Sequence, residues 1–150
     1  MPKLDLDTIP QTNATGYPPE YAGAVKDRWY RRLGPASGLS DYGVSHVTLR
    51  PGAWSSQRHW HEGEDEFVVI LAGEAVLVDD RGEQMMNSGD CASFPKGDGN
   101  GHVLQNRGDI DCVFIAVGSK GDSDCHYPDI DMHLTPNRGF HHKDGSDFTW

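Results

Sequence analysis

The sequence has no long hydrophobic run and comparatively few basic residues. No stretch approaches the roughly 20 apolar residues of a membrane span, and MPKLDLDTIP at the N-terminus lacks the apolar core and basic leader of a signal peptide. Asp and Glu number 23 against 13 Lys and Arg, and the formal net charge of −10 disfavours contact with nucleic-acid phosphates and anionic membranes. We therefore expect a cytoplasmic protein that binds neither nucleic acid nor membranes.

Cysteine is scarce as well. The three cysteines, Cys91, Cys112 and Cys125, are odd in number and show no paired spacing. A disulfide framework would use an even set of cysteines, so reduced thiols in a reducing compartment are the better interpretation. We expect all three to be ordinary buried thiols.

Helical periodicity of useful length is also missing, and short β-strand patterns take its place. Between residues 42 and 118, runs rich in Val, Ile, Leu and Phe alternate with turn residues at intervals of about 8 to 12 positions. Many short antiparallel strands close on themselves or stack in two sheets, because long open edges promote aggregation. A jelly-roll β-barrel is one standard solution, and we predict an all-β fold. The apolar residues expected to line or pack the barrel are Val68, Ile70, Leu77, Phe94, Val103 and Phe114.

At 150 residues the chain fits a single domain with a polar segment at each end. Residues 1–40 are interrupted by proline and glycine, so we predict an irregular N-terminal extension in which only residues 26–33 could form a helical turn or a strand. Residues 41–118 are the predicted barrel core. Residues 119–150 are rich in Asp, His, Gly and Pro, and we predict a C-terminal tail that packs on the barrel or stays mobile.

The segment HWHEGEDEF carries the residues best suited to chemistry. His59 and His61 are two positions apart on a predicted strand, so their imidazoles point to the same face. The acidic stretch that follows contains a glycine and can turn the chain, after which Glu66 opens the next strand and can return a carboxylate to the same interior. His102, which begins a later strand, is the candidate for a fourth ligand. Three imidazoles and one carboxylate suit one divalent transition metal (Mn, Fe, Co, Ni or Zn) and leave open positions for water or substrate.

Two motifs of the chain resemble those of the cupin superfamily. The first is a glycine, His-x-His, a glutamate and a second glycine, and its places are filled by Gly52, His59, His61, Glu66 and Gly73. The second is filled by Gly89, Pro95, Gly97, His102 and Asn106. Relative to the superfamily pattern, one residue is added before His59 and two are added before His102, and both additions fall in predicted loops.

This resemblance covers about half of the chain. It implies a cupin-type jelly-roll β-barrel whose metal ligands are His59, His61, Glu66 and His102. Three nearby carboxylates compete with Glu66, but Glu62, Glu64 and Asp65 lie in the predicted turn, where side chains are usually solvated. We prefer Glu66 because it starts a strand and matches the motif spacing.

Longer stretches around the motifs look like a subgroup of small bacterial cupins that are often described as sugar-phosphate isomerases. The matching segments are residues 31–78, the NRGD turn, YPDIDM and HHKDGSDF. That description of function rests on similarity of fold. The resemblance implies isomerase-like chemistry at a single metal, without indicating which residue is catalytic. The YPDID and HHKDG segments have no physical explanation in the sequence alone.

Two groups of residues are predicted to lie outside the cavity. Arg58 and Trp60 alternate with the histidines and should face another strand of the same chain or a partner subunit, so a homodimer is one of two interpretations. The tail histidines could close over the metal, but we expect them to be surface residues of a polar segment. They are His126, His133, His141 and His142.

Three functions fit the predicted site, each with a small molecule as substrate or ligand. A metal-dependent isomerase or lyase would polarise a carbonyl or hydroxyl and move a proton. An iron-dependent dioxygenase would use the open metal positions for oxygen and substrate. A non-catalytic protein would use the metal structurally or to hold a small acid. We favour isomerase-like chemistry, although no basic cluster for a phosphate is evident among Arg50, Arg58, Lys96 and Arg107.

Overall fold

The computed structural model describes residues 3–150, which form twelve β-strands in three sheets, two short α-helices and two 3-10 turns. The strands are β1 (Arg28–Arg32), β2 (Tyr42–Leu49), β3 (Trp60–His61), β4 (Glu66–Ala72), β5 (Glu74–Asp79), β6 (Gly82–Asn87), β7 (Cys91–Phe94), β8 (Val103–Gln105), β9 (Cys112–Ser119), β10 (Cys125–His126), β11 (His133–Thr135) and β12 (Gly139–His141). The helices are α1 (Pro19–Ala22) and α2 (Leu33–Ser37), and the 3-10 turns are Leu6–Thr8 and Gly23–Val25. None of the helices in residues 3–150 is long and apolar enough to cross a membrane.

Two of the sheets enclose the main core. One has the strand order β1-β2-β9-β4-β7 and the other the order β6-β5-β8. In β4, Val68 and Ile70 are buried, whereas the alternating Phe67 and Leu71 are 41% and 48% exposed, so one face of the strand packs inward. The six apolar residues predicted to line or pack the barrel are buried or lie against this core. The predicted all-β jelly-roll fold is therefore confirmed, with sheets that remain separate instead of closing into one continuous barrel.

Two residues of the sequence motifs have structural roles at the ends of strands. Gly73 joins β4 to β5 at a φ of +74°, and a Cβ atom there would collide with the carbonyl oxygen of Asp111. Asn106 is 1% exposed, and its Nδ2 donates hydrogen bonds of 2.8 Å to the carbonyl oxygens of Leu49 and Ile110. Backbone geometry therefore explains the glycine at position 73, and buried hydrogen bonds explain Asn106. Neither residue needs a bound ligand to account for its place in the motif.

Strand β1 lies within the segment predicted to be an N-terminal extension. It pairs with β2 along its whole length and forms one edge of the five-stranded sheet. Of the two alternatives for residues 26–33, the strand is therefore correct over Arg28–Arg32. Because side chains alternate along a strand, Arg28, Tyr30 and Arg32 share one face of the sheet.

The C-terminal strands join the rest of the molecule through β3. Strands β10, β11 and β12 form a sheet with it in the order β12-β11-β10-β3. A second, smaller core contains Cys125, Tyr127 and Met132, against which Tyr17 and Phe140 pack. Residues of the predicted tail are thus held by backbone pairing with β3 and by apolar contacts.

The cysteines are free, and two of them are buried as expected. Cys112 and Cys125 are 0% and 1% exposed. The expectation is wrong for Cys91, which is exposed at the start of β7. Its neighbour Ala92 packs against the main core, so strand alternation turns the Cys91 side chain outward.

A candidate metal centre inside the barrel

The four predicted metal ligands come from three parts of the chain. His59 and His61 flank Trp60 at β3, Glu66 is the first residue of β4, and His102 immediately precedes β8. An isolated bridge pairs the backbones of His59 and His102, and the centroids of their rings are 4.7 Å apart. The pairing of strands therefore brings the four side chains to one point inside the barrel.

The Nε2 atoms of the three histidines converge on one oxygen of Glu66. Glu66 Oε1 lies 3.0 Å from the Nε2 atom of His61, 3.2 Å from that of His102 and 3.4 Å from that of His59. This oxygen is buried, yet it makes no well-aligned hydrogen bond with any residue that the structure describes. One ligand atom each of His59, Glu66 and His102 lies within 4.8 Å of the other two, close enough for these residues to share one cation. His61 reaches the same centre through its contact with Glu66 Oε1.

A hydrogen bond on the far side of the His59 ring determines which nitrogen faces Glu66. His59 Nδ1 lies 2.8 Å from the carbonyl oxygen of Gln57, which can only accept, so Nδ1 carries a proton. In this tautomer the ring presents a lone pair on Nε2 to the Glu66 carboxylate. Two such acceptors repel each other unless a cation, either a proton or a metal ion, lies between them. Metal-binding histidines are commonly oriented by a hydrogen bond of this kind.

The other two rings are held by different contacts. His61 Nδ1 lies 3.4 Å from Glu64 Oε2, which places a carboxylate behind the ring as well. The His102 ring stacks flat on Phe94, with centroids 3.6 Å apart and an interplanar angle of 4°. Packing and electrostatics thus orient the imidazoles before any ligand binds.

The charge of the site also favours a cation. Burial alone would raise the pKa of Glu66, but its contacts with His102, His59 and His61 outweigh burial and hold the pKa well below its usual value. Burial lowers the pKa of His61, whereas contacts with Cys125 and Glu66 raise it to about 9 overall. Burial lowers the pKa of His102. Glu66 is therefore ionised at neutral pH, and the proton on His61 is one that a metal ion would displace.

The carboxylates that compete with Glu66 in the sequence have other partners. Glu62 Oε1 lies 2.6 Å from His126 Nε2, and Asp65 Oδ1 accepts a hydrogen bond of 2.9 Å from the backbone amide of Lys96. Glu64 reaches the Nδ1 side of His61. The structure therefore brings only Glu66, of these four carboxylates, to the Nε2 atoms.

Cys125 borders the site, although the sequence indicated only a buried thiol. Its Sγ and one nitrogen each from His59 and His61 lie within 4.8 Å of one another. Cys125 is opposite His61 in the pairing of β10 with β3. No local pattern could have shown this, because a contact between two-residue strands far apart in the chain depends on the tertiary structure.

A cavity of about 270 Å³ opens beside three of the four ligands, His59, Glu66 and His102, and two arginines line it. Arg28, Tyr30 and Arg32 of β1 line it, as their shared face requires. Arg28 Nη1 donates a hydrogen bond of 2.9 Å to the carbonyl oxygen of Ser55, whereas its buried Nε has no partner in the described residues. The guanidinium carbons of the two arginines lie 5.2 and 5.7 Å from the centre of the Tyr30 ring. The cavity thus combines positive charge with an unsatisfied donor.

These arginines were missed in the sequence, although the alternation in RWYRR would have placed them on one face. The basic residues considered there do not line the cavity. Arg58 forms ion pairs with Asp80 and Asp129, and Arg107 pairs with Glu83.

The prediction that the tail histidines are surface residues is wrong in part. His141 is 7% exposed, and the His133 side chain is 18% exposed. The ring of His126 stacks on Trp60 at a centroid distance of 4.2 Å, so Trp60 has an intramolecular neighbour. Strand alternation places His126 and Trp60 on the face opposite Cys125 and His61.

Comparison with known proteins identifies the family. Residues 45–118 match the cupin domain family. A solved structure from Silicibacter pomeroyi, named as a sugar phosphate isomerase from a cupin superfamily, is 47% identical, has a TM-score of 0.93, and covers 99% of this chain and 97% of its own. This chain belongs to the cupin superfamily. Cupins commonly bind metal, in agreement with the histidine-rich centre of this cupin.

Two further relatives of the cupin have names that refer to oxalate. An oxalate-binding protein from Thermotoga maritima is 36% identical over 73 residues, which are 49% of this chain and 58% of that relative. The chain therefore matches little more than half the length of this curated relative. A solved structure of a predicted oxalate decarboxylase from Thermotoga maritima is 29% identical with a TM-score of 0.54, over 61% of this chain and 79% of its own.

Proposed function

We propose that this cupin binds one divalent transition metal through His59, His61, Glu66 and His102 and acts on a small anionic substrate with isomerase-like chemistry. The convergence of three Nε2 atoms on Glu66 Oε1 supports the metal site most directly. The ligand set suits Mn, Fe, Ni or Zn. A sugar phosphate is the proposed substrate class, since the Silicibacter pomeroyi relative carries the name of a sugar phosphate isomerase.

The cavity supports a small anionic substrate. Arg28 and Arg32 provide the positive charge beside the ligands, and arginine binds phosphate and carboxylate groups through two parallel hydrogen bonds. Phe94 and Phe114 contribute apolar wall, which limits water around a bound substrate. The volume of about 270 Å³ is near the lower end for ligand pockets, which suits a small metabolite.

Each part of the site has a defined task in this proposal. A bound metal would polarise a carbonyl or hydroxyl oxygen of the substrate. The arginines would hold the anionic group and orient the rest of the molecule toward the ligands. Glu66 is the sole carboxylate among the described residues that line the cavity, and as a ligand it is not free to act as a base.

A second candidate function is the non-catalytic binding of a small acid. The oxalate-binding relative favours it, and so does the lack of a second carboxylate among the described cavity residues. Oxalate and a sugar phosphate present similar negative charge to Arg28 and Arg32, so the same cavity suits both classes.

The deciding experiment begins with elemental analysis of protein purified without a histidine tag or added metal. Alongside the parent we would analyse His59→Ala and His102→Ala, with His142→Ala as a histidine control outside the centre. One metal equivalent should be lost in the first two variants and retained in the control. Full retention in both ligand variants would overturn the assignment.

Assays on the loaded protein then separate the functions. Interconversion of an aldose phosphate and a ketose phosphate supports the isomerase. Oxygen uptake with bound iron supports a dioxygenase instead, and saturable oxalate binding without turnover supports the binding protein. A single small-molecule ligand or substrate is expected in each case.

The proposed location and assembly follow from the same reasoning. We propose a cytoplasmic protein and a homodimer, since three free cysteines suit a reducing compartment and the outer face of β3 is a candidate surface for the dimer. Sedimentation analysis of the purified chain tests the dimer, and a single species of 16.5 kDa would contradict it.

A further inference from the structure

A second group of histidines lies on the outer face of the sheet formed by β3 and β10 to β12. The pairing places His126 opposite His133 and His133 opposite His141, so three histidines stand side by side on neighbouring strands. Asp124 precedes His126 by two positions and shares its face. We call Asp124, His126 and His133 the outer cluster.

Short distances connect the members of the outer cluster. One ligand atom from each residue lies within 4.8 Å of those from the other two. His133 Nε2 is 3.0 Å from Asp124 Oδ2, and the rings of His126 and His133 are 4.6 Å apart between centroids. Glu62 Oε1 contacts His126 Nε2 at 2.6 Å, so a second carboxylate adjoins the cluster.

We propose that the outer cluster is a second metal site, separate from the barrel centre, that binds a borderline divalent ion such as Zn²⁺. Two imidazoles and one carboxylate are a common zinc ligand set and leave a fourth position for water. Glu62 supplies the carboxylate behind a ligand histidine that orients many such sites.

A buried nitrogen next to the outer cluster supports this site independently. His141 is 7% exposed, and its Nδ1 lies 2.8 Å from the carbonyl oxygen of His142, so Nδ1 carries a proton. Its Nε2 is buried and has no partner among the described residues. The His141 ring lies 5.4 Å from that of His133 between centroids. The structure thus places a buried imidazole nitrogen that lacks a described partner on the histidine beside His133.

Solvent access to the outer cluster and the charge around it also suit a bound cation. The side chains of Asp124, His126 and His133 are 35%, 30% and 18% exposed, so an ion can enter from solvent while the ligands stay ordered. A cleft of about 290 Å³ adjoins the cluster, with Trp60 and Lys143 in its walls. Lys143 contributes one positive charge there, against the two carboxylates of Asp124 and Glu62.

Alternation along β3 and β10 separates the two sites. His61 and Cys125 are opposite each other and face the barrel centre, whereas Trp60 and His126 are opposite each other and face outward. A ligand variant at one site therefore leaves the donor atoms of the other in place, and the two proposals can fail independently.

The test is equilibrium dialysis of the full chain against Zn²⁺, with zinc per chain measured by mass spectrometry. The parent and His142→Ala should bind two equivalents, while His133→Gln and Asp124→Asn should each bind one. His102→Ala should also bind one, retained at the outer cluster. Circular dichroism checks that each variant is folded, and Asp124→Asn provides a nearly isosteric change if His133→Gln is unstable.

Cobalt substitution provides a spectroscopic test. Four-coordinate Co²⁺ at the outer cluster should give a visible absorption band that disappears in Asp124→Asn and persists in His102→Ala. A parent that binds a single equivalent, lost in His102→Ala and kept in Asp124→Asn, would overturn the second site. Loss of one equivalent in Asp124→Asn with no change in His102→Ala would support the outer cluster and contradict the barrel centre.

Discussion

The amide of His59 donates a hydrogen bond of 3.1 Å to the carbonyl oxygen of His102, and the amide of His102 donates one of 2.9 Å to the carbonyl oxygen of His59. This reciprocal pair joins the two sequence motifs through backbone atoms alone. Replacing either imidazole removes a donor atom without removing the pair. Ligands of the proposed metal centre can therefore be removed while the surrounding strands stay connected.

The first prediction concerns metal and stability. An ion that binds the folded chain at about 100 times its Kd stabilises it by about 2.7 kcal/mol, so a chelator should lower the Tm of the loaded parent by roughly 5 to 10 °C. In His102→Ala the chelator should lower the Tm by roughly 5 to 10 °C less than in the parent, because the ion at this centre is already absent. In His142→Ala the chelator should lower the Tm as much as in the parent. Differential scanning calorimetry with and without chelator measures the effect; equal falls in the parent and His102→Ala would contradict it.

The second prediction concerns the arginines of β1. Arg32→Gln should weaken binding of phosphate or oxalate by about 10-fold or more, because a charge-assisted hydrogen bond contributes roughly 1.5 to 3 kcal/mol. The neighbouring Arg31→Gln is the matched control, since Arg31 Nε donates to the carbonyl oxygen of Ile9 and does not line the cavity. Isothermal titration calorimetry compares the two, and similar affinities would show that the anion binds elsewhere.

The third prediction compares two glycines of nearly equal backbone conformation. Gly38 and Gly73 have φ angles of +79° and +74°, but only at Gly73 would a Cβ meet another part of the chain. Gly38→Ala should cost about 1 kcal/mol for backbone strain, whereas Gly73→Ala should cost several kcal/mol because the Asp111 carbonyl must also move. Urea unfolding of both variants measures the difference, and equal losses would mean that the loop before β9 adapts freely.

The fourth prediction concerns pH and the pair between Arg58 and Asp129. Arg58 Nε lies 2.8 Å from Asp129 Oδ2, and this hydrogen bond is the main reason that the pKa of Asp129 is lowered. A carboxyl whose pKa is lower in the folded state stabilises the fold above its unfolded pKa, and this contribution is lost as pH falls through the folded pKa. Because Asp129 is 58% exposed, the contribution is limited to about 1 kcal/mol.

Arg58→Gln should therefore be destabilised relative to the parent at pH 7, by an amount that shrinks toward pH 3. Urea unfolding at both pH values measures this change, with Arg81→Gln as a control for the loss of one exposed positive charge. A difference between Arg58→Gln and the parent that stays constant with pH would show that the pair does not affect the titration of Asp129.

Local patterns in the sequence were sufficient for the strands of the main core and for the candidate ligands. In β4, the alternation of Val68 and Ile70 with Phe67 and Leu71 reflects burial on one face, which depends only on neighbouring residues. The spacing of His59 and His61 predicts a shared face for the same reason. The cupin motifs then indicated Glu66 and His102, which the structure brings to the same point.

Other features depended on which distant strands pair. Strand β1 has an alternating pattern, but only its pairing with β2 turns Arg28 and Arg32 toward the cavity. Prolines and glycines around it made an irregular extension the simpler prediction. The exposure of Cys91 likewise depends on which face of β7 packs on the main core, and that face carries its neighbour Ala92.

The sequence by itself determined the all-β architecture and the shared face of His59 and His61, because both follow from periodicity over a few positions, and its resemblance to cupins added Glu66 and His102. The tertiary structure alone decided the position of the tail. Strands as short as Cys125–His126 carry almost no periodicity, and their pairing with β3 depends on apolar contacts made by distant residues such as Tyr17. That pairing places Cys125 at the barrel centre and assembles the outer cluster on the opposite face.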